Sequence, residues 1–196
     1  MLNYDLELFS KTYDKLTKTR SFKHIFQDVF IPLLTEIGLL WQTDTINPTH
    51  EHFITNLIKQ KLLTNIEKLQ FSHPTNTEKS FVLFLPENEI HELGLLYINY
   101  EILLKGYKAV YLGPSIPLDC LTNMIGLNDK TVFVSYFTIK PEKDKISDYV
   151  QEFNTIVARD HNTEFWMLGK QIMHVSQNSA PNHRYFNSIN DLLLDL

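Results

Sequence analysis

The chain has a single cysteine, Cys120, in 196 residues. That excludes an internal disulfide and fits a reducing compartment. Cys120 itself reads as a small buried hydrophobe. No apolar run approaches the roughly 20 residues that a membrane span needs. No basic segment followed by an apolar stretch marks a secretory signal near the start. The expectation is a cytoplasmic protein without a membrane partner. Cations are also outnumbered, with 18 Lys and Arg against 23 Asp and Glu, for a net charge of −5. Gripping nucleic acid unaided takes clustered Lys and Arg, so DNA contact by this chain alone is not expected. A glycine-rich phosphate loop and a nucleophile–base arrangement are both missing, and nothing marks the chain as an enzyme.

What is present is an ordinary foldable composition, 43% hydrophobic and 21% charged, long enough for one large or two small cores. Its texture changes midway. Residues 1–71 read as helices: Leu6, Phe9, Tyr13 and Leu16 recur at helical spacing, as do Phe22, Ile25, Phe26, Val29, Phe30, Leu33, Leu34 and Ile37. Pro32 is expected to kink the second helix or mark its start. A third helix is expected after the cap-like Asn47-Pro48-Thr49. Several helices without strands make a small bundle.

Residues 72–79 are polar, include Pro74 and lack periodicity, which makes them a linker. Residues 80–196 then alternate short apolar runs with amphipathic segments. Strands are expected at Phe81–Leu85, Ala109–Leu112, Thr131–Tyr136 and Glu164–Leu168, with a weaker one near Arg184–Phe186. Helices are expected at His91–Lys105, Pro117–Ile125, Lys143–Arg159 and Ile189–Asp195. Such alternation predicts an α/β domain with a doubly wound parallel sheet, Rossmann-like and flavodoxin-like in type, following the helical bundle.

The most informative stretch is Glu89-Ile90-His91-Glu92-Leu93-Gly94. It places an imidazole at the end of the first expected strand, where open α/β sheets bind ligands. Ligating histidines usually give their second N–H to an acid, and Glu89 stands two residues before His91. Forty residues separate Gly94 from Ser135, and thirty-one separate Phe137 from Gly169-Lys170. In the helical half, Trp41 is followed after nine residues by Glu51-His52.

These spacings resemble the cobalamin-binding domains, whose signature is Asp-x-His-x-x-Gly, then a serine element, then a glycine pair. Glu89 stands in the place of the Asp, and Lys170 in that of the second glycine. The Trp-x9-Glu-His pattern is similar to the helical cap of cobalamin-dependent MerR-type regulators, the light-sensing CarH-like group. That group has the same order of bundle, linker and cobalamin-binding domain. The resemblance implies that His91 is the metal ligand, entering the lower axial position of cobalt. Glu89 would fix its tautomer, Gly94 and Gly169 would leave a slot for the displaced nucleotide tail, and Ser135 would offer a hydroxyl to its base. Lys170 would narrow the slot or reach a phosphate or propionamide. Trp41 would shield the upper face, with Glu51 and His52 beside the upper ligand. Adenosylcobalamin is the implied cofactor, with methylcobalamin as the alternative. Some members carry a histidine after the tryptophan; this chain has Gln42, so a second histidine on cobalt is not expected there.

The function implied is the sensor module of a light- or corrinoid-responsive transcriptional regulator, a homo-oligomer that reaches DNA only through a domain or partner not in this chain. Two other readings remain: a methyl-carrying corrinoid subunit of a methyltransferase system, and a degenerate domain that has lost its cofactor. A zinc site at His50-Glu51-His52 is disfavoured, because adjacent helical residues diverge by roughly 100°.

Overall fold

A computed structural model describes residues 3–42, 47–126, 129–158, 162–175 and 180–196, without the side chains of Trp41 and Gln42. The chain divides into two compact units, Met1–Asn65 and Ile66–Leu196.

The first unit is helical throughout. Helix α1 (Leu6–Thr17) starts where Asp5 accepts the Leu8 N–H at 2.8 Å, and α2 (Phe22–Ile25) starts where Ser21 accepts that of His24. A π-helical turn, Phe26–Phe30, then joins α2 to α3 (Ile31–Gln42). Pro32 explains it: proline has no N–H to give, and its ring collides with the carbonyl four residues back, so the preceding turn widens. Pro32 thus marks the start of α3, as its second residue, after the π-helical turn. The wide turn aims Phe26 and Phe30 into a buried cluster, where the Phe30 ring lies 6.1 Å from those of Phe9, Tyr13 and Phe26. Helix α4 (Pro48–Gln70) begins with proline at its first position, and Asn47 Oδ1 accepts the Thr49 N–H. Ile54, Leu57, Ile58 and Leu62 form its buried stripe.

The second unit is built on a five-stranded, all-parallel sheet in the order β2-β1-β3-β4-β5. The strands are β1 (Asn76–Pro86), β2 (Tyr107–Ile116), β3 (Thr131–Tyr136), β4 (Thr163–Leu168) and β5 (His183–Tyr185). Alternation sorts their side chains to two faces. Phe81, Leu83, Val132, Val134 and Trp166 pack beneath α5 (Leu93–Leu104) and α7 (Ile189–Leu194). Val82, Phe84, Phe133, Phe165 and Met167 pack against α6 (Ile146–Ile156). Helices therefore cover both faces, and the winding reverses between β1 and β3, which opens a crevice at their carboxyl ends.

Several boundaries differ from the sequence expectation. The division into units falls at Asn65/Ile66, and β1 starts at Asn76, inside the expected linker. The extra strand residues are polar, the first three of them exposed, and the pairing register shifts between Asn76 and Ser80, so no apolar signal marks them. The expected helix Pro117–Ile125 is only a 3-10 segment, Asp119–Met124. Asp119 accepts the Cys120 N–H with its side chain and the Thr122 hydroxyl with its carbonyl, bonds that compete with an α-helix. Cys120 is accordingly exposed rather than buried.

Candidate functional site

The site grows from the turn after β1. Asn88, with φ of 64°, lies in the left-handed region that Asn tolerates, and the Glu89 N–H returns to the Pro86 carbonyl at 3.0 Å. This turn directs Glu89 inward, where its side chain is 1% exposed. Oε1 of Glu89 accepts the backbone N–H groups of Ile90 and His91, and lies 2.6 Å from His91 Nδ1. Oε2 accepts the backbone N–H groups of Ile139 and Lys140, at 2.7 and 2.9 Å. Burial alone raises the pKa of a carboxyl. The donors from Lys140, Ile139 and His91 outweigh it and hold Glu89 down at about 2.

An ionised carboxylate only accepts, so His91 Nδ1 carries the proton that faces it. Nε2 is then the basic nitrogen, the one that takes a metal. The His91 side chain is 47% exposed. Among the described residues no group of three or more His, Cys, Asp or Glu stands ready to hold an ion. A lone imidazole suits a metal that brings its other ligands with it, as a corrinoid does.

Ser135, the last residue but one of β3, is fully buried, and its hydroxyl has no hydrogen-bond partner among the described residues. An orphaned buried hydroxyl is costly, which fits a group that awaits a ligand atom. The two glycines grip the residues that follow it. A Cβ on Gly94 would sit 3.1 Å from the Tyr136 ring. Gly169, with φ of 101°, would put its Cβ 2.3 Å from the Phe137 carbonyl oxygen. Both glycines thus answer to close neighbours, and neither faces open space in this conformation. A cavity of about 260 Å³ lies beside Gly169 at the ends of β3 and β4, lined by Tyr136, Leu168, Gly169, Lys170, Asn187 and Ser188 among others. Lys170 itself is exposed, in a short 3-10 segment, Lys170–His174.

The structure therefore brings Glu89, His91, Gly94, Ser135 and Gly169 to one end of the sheet. Glu51 and His52 lie on α4, in the first unit. Glu51 accepts the Thr55 hydroxyl at 2.6 Å and sits 3.5 Å from His52 Nδ1, while His52 is exposed. His50 stacks on Tyr4 instead of joining them, at 4.8 Å between ring centroids. Trp41 is in the last turn of α3, and the role expected of its side chain lies outside the described residues. Sequence reading missed Tyr136, although it is the middle residue of the serine element. It missed Ile139 and Lys140 because they act through backbone N–H groups that any residue but proline has. Gln171, whose side chain donates to the Ile139 carbonyl, also gave no signal.

Comparison with known proteins agrees with the corrinoid chemistry. Residues 1–64 match the family model of the B12 binding domain. The match falls on the helical unit, whereas His91 lies in the α/β unit. The chain is 25% identical over 118 residues to the HTH-type transcriptional repressor CarH of Myxococcus xanthus. That alignment takes in 60% of this chain and 38% of the repressor, so the chain spans well under two thirds of that relative. In fold, it is similar to the monomethylamine corrinoid protein of Methanosarcina barkeri, with a TM-score of 0.74. The likeness covers 93% of this chain and 86% of that one, at 12% identity. The resemblance to cobalamin-binding proteins therefore stands, as does the α/β fold class. Among the described residues no helix is long and apolar enough to cross a membrane.

Proposed function

We propose that the chain is the effector module of a corrinoid-responsive regulator, a binding and sensing unit rather than a catalyst. In this reading His91 would be the residue that holds cobalt in place of the cofactor's own base, and adenosylcobalamin would be the preferred form. The observation that carries it is the Glu89–His91 pair: a buried, ionised carboxylate 2.6 Å from Nδ1 that leaves Nε2 basic. The orphaned hydroxyl of Ser135 supports it, as a donor for the displaced base. Sequence kinship with a transcriptional repressor favours the regulator.

A bound alkylcobalamin supplies a cobalt–carbon bond that visible light breaks. The part of this chain is to hold the corrinoid from below, orient it through His91 and report its state. A ligand shifts assembly only by binding the assembled state better than the dispersed one. The loaded chain is accordingly expected to be a homo-oligomer in the dark and to change size after illumination. DNA contact rests on a segment or partner outside this sequence.

The test is reconstitution with adenosylcobalamin in the dark, followed by an absorbance spectrum and size-exclusion chromatography before and after green light. His91→Ala should retain the fold and lose the base-off spectrum. Failure of the native chain to retain any corrinoid would sink the proposal. Retention without a light-dependent size change would move the assignment to a methyl-carrying corrinoid subunit.

A further inference from the structure

The Tyr136 ring stands between the helix that follows the histidine loop and the cavity at the ends of β3 and β4. One side of its ring is pressed toward the start of α5, where a Cβ on Gly94 would meet its Cε2 at 3.1 Å and its Cζ at 3.4 Å. It also lines the 260 Å³ cavity, together with Gly169, Asn187 and Ser188. Gly94 does not line that cavity, although it lies three residues from His91. The ring is thus the wall between the histidine loop and the cavity. At about 260 Å³ the cavity falls below the roughly 300–1,000 Å³ of sites that hold drug-sized ligands.

No hydrogen bond ties the wall down among the described residues. Tyr97 donates to Glu101, Tyr107 to the Leu196 carbonyl and Tyr111 to Glu92. Among the described residues the Tyr136 hydroxyl has no such partner. Pairing with Leu168 fixes its backbone at the end of β3, and the ring is held there by packing against the core rather than by a hydrogen bond.

We propose that Tyr136 is a gate that discriminates between corrinoids with and without a nucleotide tail. This rests on the reading of His91 as the cobalt ligand. With the ring against Gly94, a corrinoid that lacks the tail meets His91 unhindered. A corrinoid that carries one enters only when the ring turns out of the way. If the open state is a minor one, at about 0.1–10% of the population, the closed ring slows uptake of the tail-bearing form by about tenfold or more.

Stopped-flow mixing with aquocobinamide, which has no nucleotide tail, and with hydroxocobalamin, which has one, tests the gate by absorbance. Loss of the cofactor's own base slows hydroxocobalamin equally in every variant, so the readout is the change from native chain to variant. Tyr136→Ala should raise the hydroxocobalamin rate by about tenfold or more while leaving the cobinamide rate in place. Tyr136→Phe, which keeps the ring, should keep the discrimination. Tyr136→Leu is read in the same way as Tyr136→Ala should the latter not fold. An unchanged ratio of the two rates in both truncated variants overturns the gate while leaving the cofactor assignment standing. Binding of neither corrinoid by the native chain overturns the assignment of His91, and the gate with it.

Discussion

Glu89 and Lys140 stand 51 residues apart, and Oε2 of the glutamate accepts the lysine's backbone N–H at 2.9 Å. The same oxygen accepts from Ile139, so one buried side chain joins the loop after β1 to the loop after β3 across the crevice. The other oxygen serves His91. A single carboxylate therefore sets the tautomer of the candidate ligand and the spacing of the two loops. Glu89→Gln puts an amide N–H₂ where one of these oxygens accepts, leaving buried backbone donors unpaired. The expected loss is about 2–3 kcal/mol in urea unfolding, on the scale of hydrogen bonds to charged groups. Glu89→Asp is shorter by one methylene and should keep His91 while losing the β3 loop, also at about 2–3 kcal/mol. Equal stability of all three proteins would mean that the loop contact carries no weight.

The two site glycines should respond differently to alanine. Gly169→Ala meets two penalties at once, a left-handed φ of 101° and a Cβ 2.3 Å from a backbone oxygen that cannot yield. A loss of about 3 kcal/mol or more, or failure to fold, is expected. At Gly94 the neighbour is a ring, 3.1 Å away. That contact is relieved by a few tenths of an ångström of movement, and helix α5 gains a better helix former, so about 1 kcal/mol or less is expected. Thermal melts of the two variants order them. A Gly169→Ala protein as stable as Gly94→Ala would show that the approach of Phe137 is not obligatory.

The sheet was legible because alternating apolar runs leave little choice: Phe81–Leu85 and Thr131–Tyr136 are near-continuous apolar strands, as buried parallel strands must be. The helical texture of the first unit was legible for the same reason of periodicity. What remained hidden has a physical pattern. The segment 76–78 is strand without burial, so it left no hydrophobic trace. The 3-10 turn at Asp119–Met124 arises from side chains competing with the backbone, which a count of apolar positions does not register. At the site, motif spacing located His91, Glu89 and Ser135. It could not show that Glu89 binds a second loop, because those donors are backbone groups. Nor could it show that the room left by Gly94 is taken by the next residue but one to Val134, the tyrosine at 136.

Acid should weaken the α/β unit through His183. Its Nε2 lies 2.6 Å from Asn154 Oδ1, and burial lowers its pKa from the ordinary value of 6.5. A lowered folded-state pKa means that the unfolded chain takes the proton first. The stabilisation is complete above pH 6.5 and declines as pH falls from there toward the folded-state value. Urea unfolding at a series of pH values between roughly 7.5 and 5 should show this decline, and His183→Gln should flatten its first part. An identical slope in the variant would assign the acid sensitivity to other groups.

Ser135 offers the clearest separation of stability from function. Its hydroxyl is buried and unpartnered among the described residues, so in the protein without ligand it pays desolvation and receives nothing back. Ser135→Ala removes that cost with almost no change of volume. It should stabilise the ligand-free chain by about 0.5–1 kcal/mol, since removing an unsatisfied group returns part of its penalty. The same substitution should weaken retention of a tail-bearing corrinoid by about 1 kcal/mol, roughly a fivefold rise in Kd, if the hydroxyl meets the displaced base. Cobinamide, which has no such base, should bind both proteins equally. A residue kept for folding alone would lose stability on truncation and leave corrinoid affinity unmoved. A gain in melting temperature coupled to a loss confined to the tail-bearing ligand is the pattern of a group held in reserve for binding.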